Sequence, residues 1–187
     1  MCVAAGGALG FLGASRIPVE KEKVYMKRDA QGYALVQSID EVCSVFPKTI
    51  REIQQRCDDA KKQSLLLIDK IIACPEKDQN KETMLRAFDR AFSYAGVELS
   101  YLELIKMVHP EPQIAQEAEK QYVDLQNFWT EHIESNVQLY QALKRYAQGN
   151  AQIENLTAED KYVLKNLLEG FERAGLNLPE QERARSE

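Results

Sequence analysis

Residues 107–122 read MVHPEPQIAQEAEKQY, a His-Pro-Glu-Pro interruption with helix-forming sequence on both sides. Each proline drives the residue before it out of the α region, so a helix that arrives at His109 must stop there. The sequence then returns at once to a helical pattern. Two long helices joined by so short a break are antiparallel neighbours, and the rest of the chain is read outward from that pair.

Upstream of the break, Leu85, Phe88, Phe92, Ala95, Leu99, Leu102 and Ile105 recur in steps of three and four, one stripe of a helix. Gly96 lies inside this helix, where it costs about 1 kcal/mol relative to Ala; a closely packed neighbour would account for it. Downstream, Ala118, Tyr122, Leu125, Trp129, His132, Asn136, Tyr140 and Leu143 continue the same spacing, which predicts one helix running to Gly149.

Nearer the N-terminus, Ile50, Ile53, Cys57, Ala60, Leu67, Ile68 and Ile71 mark another long helix. Pro47 is expected in its first turn. Cys74-Pro75 ends it, and the polar run EKDQNK connects it to the next. Ser38 to Val45 is expected to be a short helix capped by Ser38. At the other end, Thr157 and Asp160 form a capping-box pattern ahead of Val163, Leu164, Leu167, Leu168 and Phe171, and Gly175 suits the C′ position. No stretch shows strand alternation. The expected fold is all-α, an antiparallel bundle of long helices. Its expected organisation is an irregular N-terminal segment over 1–36 and a helical domain over 37–187.

The composition fits this. A chain of 187 residues with 44% hydrophobic and 28% charged residues has the make-up of a soluble globular domain with a real core. Its net charge of −5 comes from 24 basic residues mixed among 29 acidic ones. Nucleic-acid binding needs a concentrated basic face, so nucleic acid is not an expected partner. Cys2, Cys43, Cys57 and Cys74 form no CxxC pair and lie in or beside apolar runs, as free thiols do in a reducing compartment. The opening MCVAAGGALGFLGASR is apolar for about a dozen residues, too short to span a bilayer. It lacks the basic region of a secretory signal and the arginines of a transit peptide.

A search for chemistry finds no active site. His109 is placed to cap a helix end or to interact with its dipole. His132 falls on the apolar stripe and reads as a core or interface histidine. Neither belongs to an HExxH or a His/Cys cluster, so no metal ligands are assigned. The carboxylate pairs Asp58–Asp59, Glu117–Glu119 and Glu180–Glu182 read as solvated faces. No Gly-rich phosphate loop follows a strand, and no nucleophile is marked. Catalytic, cofactor-binding and metal residues are therefore all expected to be none.

Three stretches taken together carry a resemblance: ELIKMVHPEPQIAQEAEKQY (residues 103–122), NVQLYQALKRYA (136–147) and LTAEDKYVLKNLLEGFERAGLNLPEQERAR (156–185). The helix break at His-Pro-Glu-Pro, NV-x-LY-x-x-L, and F-x-x-AGL-x-LP-x-x-x-R occur in this order. The run LRAFDRAFSYAGVELSYLELIK (85–106) looks like the preceding helix. The pattern resembles the zinc oligopeptidase family of thimet oligopeptidase and neurolysin, and within it most nearly the mitochondrial intermediate peptidases. It covers roughly Ala60 to Arg185.

The resemblance implies a non-catalytic, largely helical N-terminal region that walls a deep substrate channel for short unfolded peptides. In that family zinc is held by an HExxH helix and a downstream Glu, with the motif's Glu as general base. No position here matches those residues, so this chain is expected to be inactive on its own and to bind no cofactor. The implied partners are a missing catalytic region or other protein chains. The implied location is mitochondrial, with cytoplasmic the alternative. Two further readings compete: a peptidase-derived structural subunit of a larger assembly, mitochondrial by the same resemblance, and a binding module with Trp129, His132 and Tyr140 lining a groove for an amphipathic peptide.

Overall fold

The computed structural model describes residues 27–28, 34–35 and 46–179. The expected helix at Ser38–Val45, the apolar N-terminus with Cys2 and Cys43, and the Glu180–Glu182 pair all lie outside the described residues. The chain divides into two compact units, Met1–Pro47 and Lys48–Glu187. In the first, β1 (Lys27–Arg28) pairs antiparallel with β2 (Ala34–Leu35), with Lys27 opposite Leu35 and Arg28 opposite Ala34. Strands of two residues are too short to leave an alternating pattern in the sequence.

The second unit is the predicted all-α bundle. It contains α1 (Ile50–Ile72), α2 (Ala87–Val108), α3 (Pro112–Trp129), α4 (Val137–Gln148), the one-turn α5 (Asn150–Ile153) and α6 (Ala158–Arg173). A 3₁₀ turn at Glu76–Asp78 precedes α2, and π-helical segments at Glu82–Arg86 and Thr130–Glu134 precede α2 and follow α3.

The long helices α1, α2 and α3 each pack against the other two, while α4 packs on α1, α5 and α6. Thr49 caps α1: its hydroxyl accepts from the Glu52 amide at 3.2 Å, and the Glu52 carboxylate accepts from the Lys48 amide at 2.7 Å. Pro47 therefore stands ahead of the cap and not in the first turn, because Thr49 can accept a bond from the helix's open amides and proline cannot. Where α1 meets α2, small residues dominate both sides. Cys57, Ala60 and Ser64 are buried on α1, and Ala87, Ala91 and Ala95 on α2. The Ser64 hydroxyl donates to the Ala91 carbonyl at 2.8 Å, so this buried polar group in the seam is satisfied.

The His-Pro-Glu-Pro break reverses the chain as expected. His109 and Glu111, each preceding a proline, are both extended, and Pro112 opens α3 at a position where no amide is needed. The His109 imidazole does not cap a carbonyl. Its Nδ1 accepts from the Glu111 amide at 3.1 Å, which supplies a partner where Glu111 as N-cap makes no side-chain bond of its own.

Downstream the structure corrects the sequence reading. The predicted single helix from Ala118 to Gly149 is two helices, broken at Ser135 and restarted by Asn136, whose side-chain oxygen accepts from the Leu139 amide at 2.9 Å. Before the break the helix widens to π geometry, with the Ser135 amide bonded to the Thr130 carbonyl at 3.0 Å. A π turn holds an extra residue, so positions after it no longer follow the α-helical count. Ile133 takes the inward place and is 1% exposed, while His132, predicted on the core stripe, is exposed beside the Phe128 ring.

The last helix matches its predicted ends. Thr157 and Asp160 form both bonds of a capping box. At the other end Gly175 has φ 83°, with its amide bonded to the Glu172 carbonyl at 3.0 Å and the Leu176 amide to the Phe171 carbonyl at 3.1 Å. This is the paired closure of a Schellman motif, and only the Gly175 conformation requires glycine.

Helix α2 is apolar around most of its circumference, a composition that normally accompanies burial on all sides. One face is nevertheless open: Val97 and Leu104 are exposed, Val108 is 67% exposed and Met107 74%. The two serines on this side, Ser93 and Ser100, donate to their own helix at the Asp89 and Gly96 carbonyls, 2.8 and 2.9 Å. The face thus offers apolar surface and hydroxyls that already have an acceptor.

Candidate functional site

The densest polar constellation lies where the α1–α2 connection meets the corner formed by α4, α5 and α6. The Lys81 amide donates to both carboxylate oxygens of Glu154, at 3.1 and 3.0 Å, and the Tyr146 hydroxyl donates to the same carboxylate at 2.7 Å. The Lys81 ammonium reaches Asp160 at 2.8 Å, with Arg86 farther away at 3.9 Å. Asn150 donates to the Glu76 and Gln79 carbonyls, at 2.7 and 2.8 Å. The buried Gln79 side chain donates to the Cys74 carbonyl at 3.3 Å.

Local structure positions each member. Asn80 caps the helix that follows, its side-chain oxygen accepting from the Glu82 and Thr83 amides, and this fixes Lys81 in the first turn. Tyr146 is fully buried on α4. Asp160 is held at the start of α6 by the Thr157 amide and hydroxyl, 3.1 and 2.7 Å away.

Burial alone would raise the Asp160 carboxyl, but the Lys81 ammonium and the Thr157 donors hold it below the ordinary aspartate value. Burial pushes the Tyr146 phenol far above its ordinary value, and its bond to Glu154 pushes the same way. Each carboxylate is met by several donors and the phenol keeps its proton. The arrangement locks distant parts of the chain together.

The other titratable groups singled out by the sequence lie apart from this lock. Cys57 is buried in the α1–α2 seam, and burial, with Glu98 nearby, pushes its thiol up to about 12. Such a thiol carries almost no thiolate at neutral pH and is chemically quiet. Asp58 and Asp59 are exposed, as expected of a solvated face. Glu117 is partly shielded: donors from Gln121 and Gln54, both at 2.9 Å, hold its carboxyl below the usual range. Among the described residues, no group of three or more His, Cys, Asp or Glu side chains could hold a metal ion. No helix among them is long and apolar enough to cross a membrane.

The groove drawn from Trp129, His132 and Tyr140 is not assembled. Trp129 packs edge-on against Phe88 and Phe92, with centroids 6.4 and 5.3 Å away, and Phe88 leads on to Phe171 and Tyr140. Trp129 and Tyr140 are thus linked through the core, while His132 faces solvent. Sequence reasoning also missed Lys81, Glu154 and Tyr146. Nothing short-range marks them, because the partners of Lys81 lie 73 and 79 residues away.

The second unit, closed by this polar lock, is an all-helical bundle, and comparison with known proteins gives what the chain is similar to. No family model matches the chain. Among curated proteins it is similar to mitochondrial intermediate peptidase. Identity is 27% over 131 residues with the Arabidopsis thaliana protein, and 26% over 129 residues with those of Mus musculus and Homo sapiens. The alignments cover 70% and 69% of this chain but 17% of each relative. The chain therefore matches a minor part of a much longer peptidase, in line with the resemblance carried by its motifs.

Proposed function

We propose that this chain is a non-catalytic helical region related to the mitochondrial intermediate peptidases, forming one wall of a substrate channel when the rest of such a peptidase is present. The observation that carries this reading is the similarity itself, which runs through most of the chain yet takes up 17% of the relatives' length. Zinc and the hydrolytic groups would belong to a catalytic region, and peptides would be the substrate of the whole. The same kinship supports a mitochondrial location. The open apolar face of α2 supports the reading, since a wall must pack against the remainder of the body it belongs to.

That face equally favours a second reading, a peptidase-derived structural subunit of a larger mitochondrial assembly with no hydrolytic activity. Intact mass of the native protein from its source, with peptide mapping beyond Glu187, separates the two. Peptides carrying a downstream HExxH, together with chelator-sensitive cleavage of short peptides, support the channel wall. A native chain of 21.3 kDa that co-purifies in fixed ratio with other proteins and cleaves nothing supports the subunit and refutes the wall.

A further inference from the structure

The rim of α6 carries a charge order that the lock and the peptidase kinship leave unused. An open groove of about 530 Å³ runs beside this helix, with Ala151, Leu164 and Leu168 in its lining. Lys161, Lys165, Glu169 and Glu172 also line it. At about 100° per residue these four lie within roughly 80° of arc, on one flank. Both lysines occupy the N-terminal half of α6 and both glutamates the C-terminal half.

Two antiparallel helices related by a two-fold axis bring like flanks together, end for end. On that flank, Lys161 and Glu172 share a midpoint near Asn166 and Leu167, and so do Lys165 and Glu169. An antiparallel second α6 therefore sets each lysine opposite a glutamate. Ile153, just ahead of α6, is 87% exposed, and Leu178, just beyond it, is also exposed. The existing contacts of Glu169, with Lys165 at 3.6 Å and Arg173 at 3.9 Å, are surface pairs within one helix turn and exchange readily.

We propose that α6 is a self-recognition surface on which a second copy of this chain lays its own α6 antiparallel. In this dimer Lys161 pairs with Glu172 of the other copy and Lys165 with Glu169, while the groove supplies apolar contact beside them. The proposal is independent of the channel-wall reading, because subunit mass tests the one and peptide mapping the other.

The test is light scattering or sedimentation of the full chain between about 1 and 100 μM, a range spanning transient to stable interfaces. The mass should double from 21.3 kDa with rising concentration, and less so at high salt. The double reversals K161E/K165E and E169K/E172K make the flank all acidic or all basic, and each should weaken self-association at least tenfold. An equimolar mixture of the two should restore a dimer containing one of each. Glu172 also accepts from the Tyr140 hydroxyl at 3.1 Å, so circular dichroism checks folding, and K165E mixed with E169K gives a pair that spares Glu172. A chain that stays monomeric throughout, or a dimer that the reversals leave unchanged, overturns the proposal.

Discussion

Replacing Asp160 tests whether the polar lock holds the bundle together. Its carboxylate is 2% exposed and serves two structures at once, the capping box of α6 and the ion pair with Lys81. Loss of an N-cap interaction costs about 1 kcal/mol. Loss of a charge-assisted bond to a buried group costs roughly 1.5–3 kcal/mol, and Lys81, whose side chain is only 26% exposed, is left with its charge uncompensated. Asp160→Ala should therefore cost about 3–4 kcal/mol in urea unfolding followed by circular dichroism, and lower Tm by roughly 6–15 °C for a chain of this size. Asp160→Asn keeps an oxygen for the cap, worth about 1 kcal/mol, and removes the charge, so it should cost about 2–3 kcal/mol.

The acid dependence separates the two roles. The Asp160 carboxyl titrates below its unfolded value when the protein is folded. Its contribution is then fully present above the ordinary aspartate pKa of about 3.9. It is lost as pH falls through the lower folded value. The stability gap between wild type and Asp160→Asn should be constant near neutrality and close only below about pH 4. An Asp160→Ala protein within about 0.5 kcal/mol of wild type at pH 7, the range of an ordinary surface change, would refute the reasoning.

Three further outcomes follow from the packing. Ile133→Ala should destabilise by about 2–5 kcal/mol and His132→Ala by less than about 0.5; the reverse order would show that the π turn does not set the register. Gly96→Ala should stabilise by about 1 kcal/mol, because a Cβ there meets only the Phe92 ring, at 3.7 Å; a drop in Tm would point to a neighbour that packs on the glycine. Cys57 should resist thiol reagents at pH 8 until urea unfolds the chain, while the half-buried Cys74 reacts first. Peptide mapping of the labelled protein reads this directly.

The features legible in the sequence were those whose causes lie within a few residues. The prolines after His109 and Glu111 act on their immediate neighbours, Thr157 and Asp160 bond across three positions, and Gly175 relaxes a single backbone angle. His132 was misplaced because counting by threes and fours assumes an unbroken α-helix, and the extra residue at Thr130–Glu134 changes the phase. Nor did the count mark Asn136 as a new cap, although Asn is a good one. The lock was hidden for a different reason: Lys81, Glu154 and Asp160 are ordinary surface residue types, and only the meeting of the α1–α2 connection with the corner before α6 gives them partners.

The uncovered side of α2 has a consequence for how the chain fares when made by itself. Val97, Leu104, Met107 and Val108 stand in water on a helix that belongs to the centre of the bundle, so removing the face by unfolding α2 would dismantle the core as well. On either proposed reading, the chain made ahead of its covering surface is a folded intermediate with apolar side chains in water. Chaperones that recognise apolar surface would retain it, and supply of the covering surface, more than the rate of folding, would set how much of it accumulates.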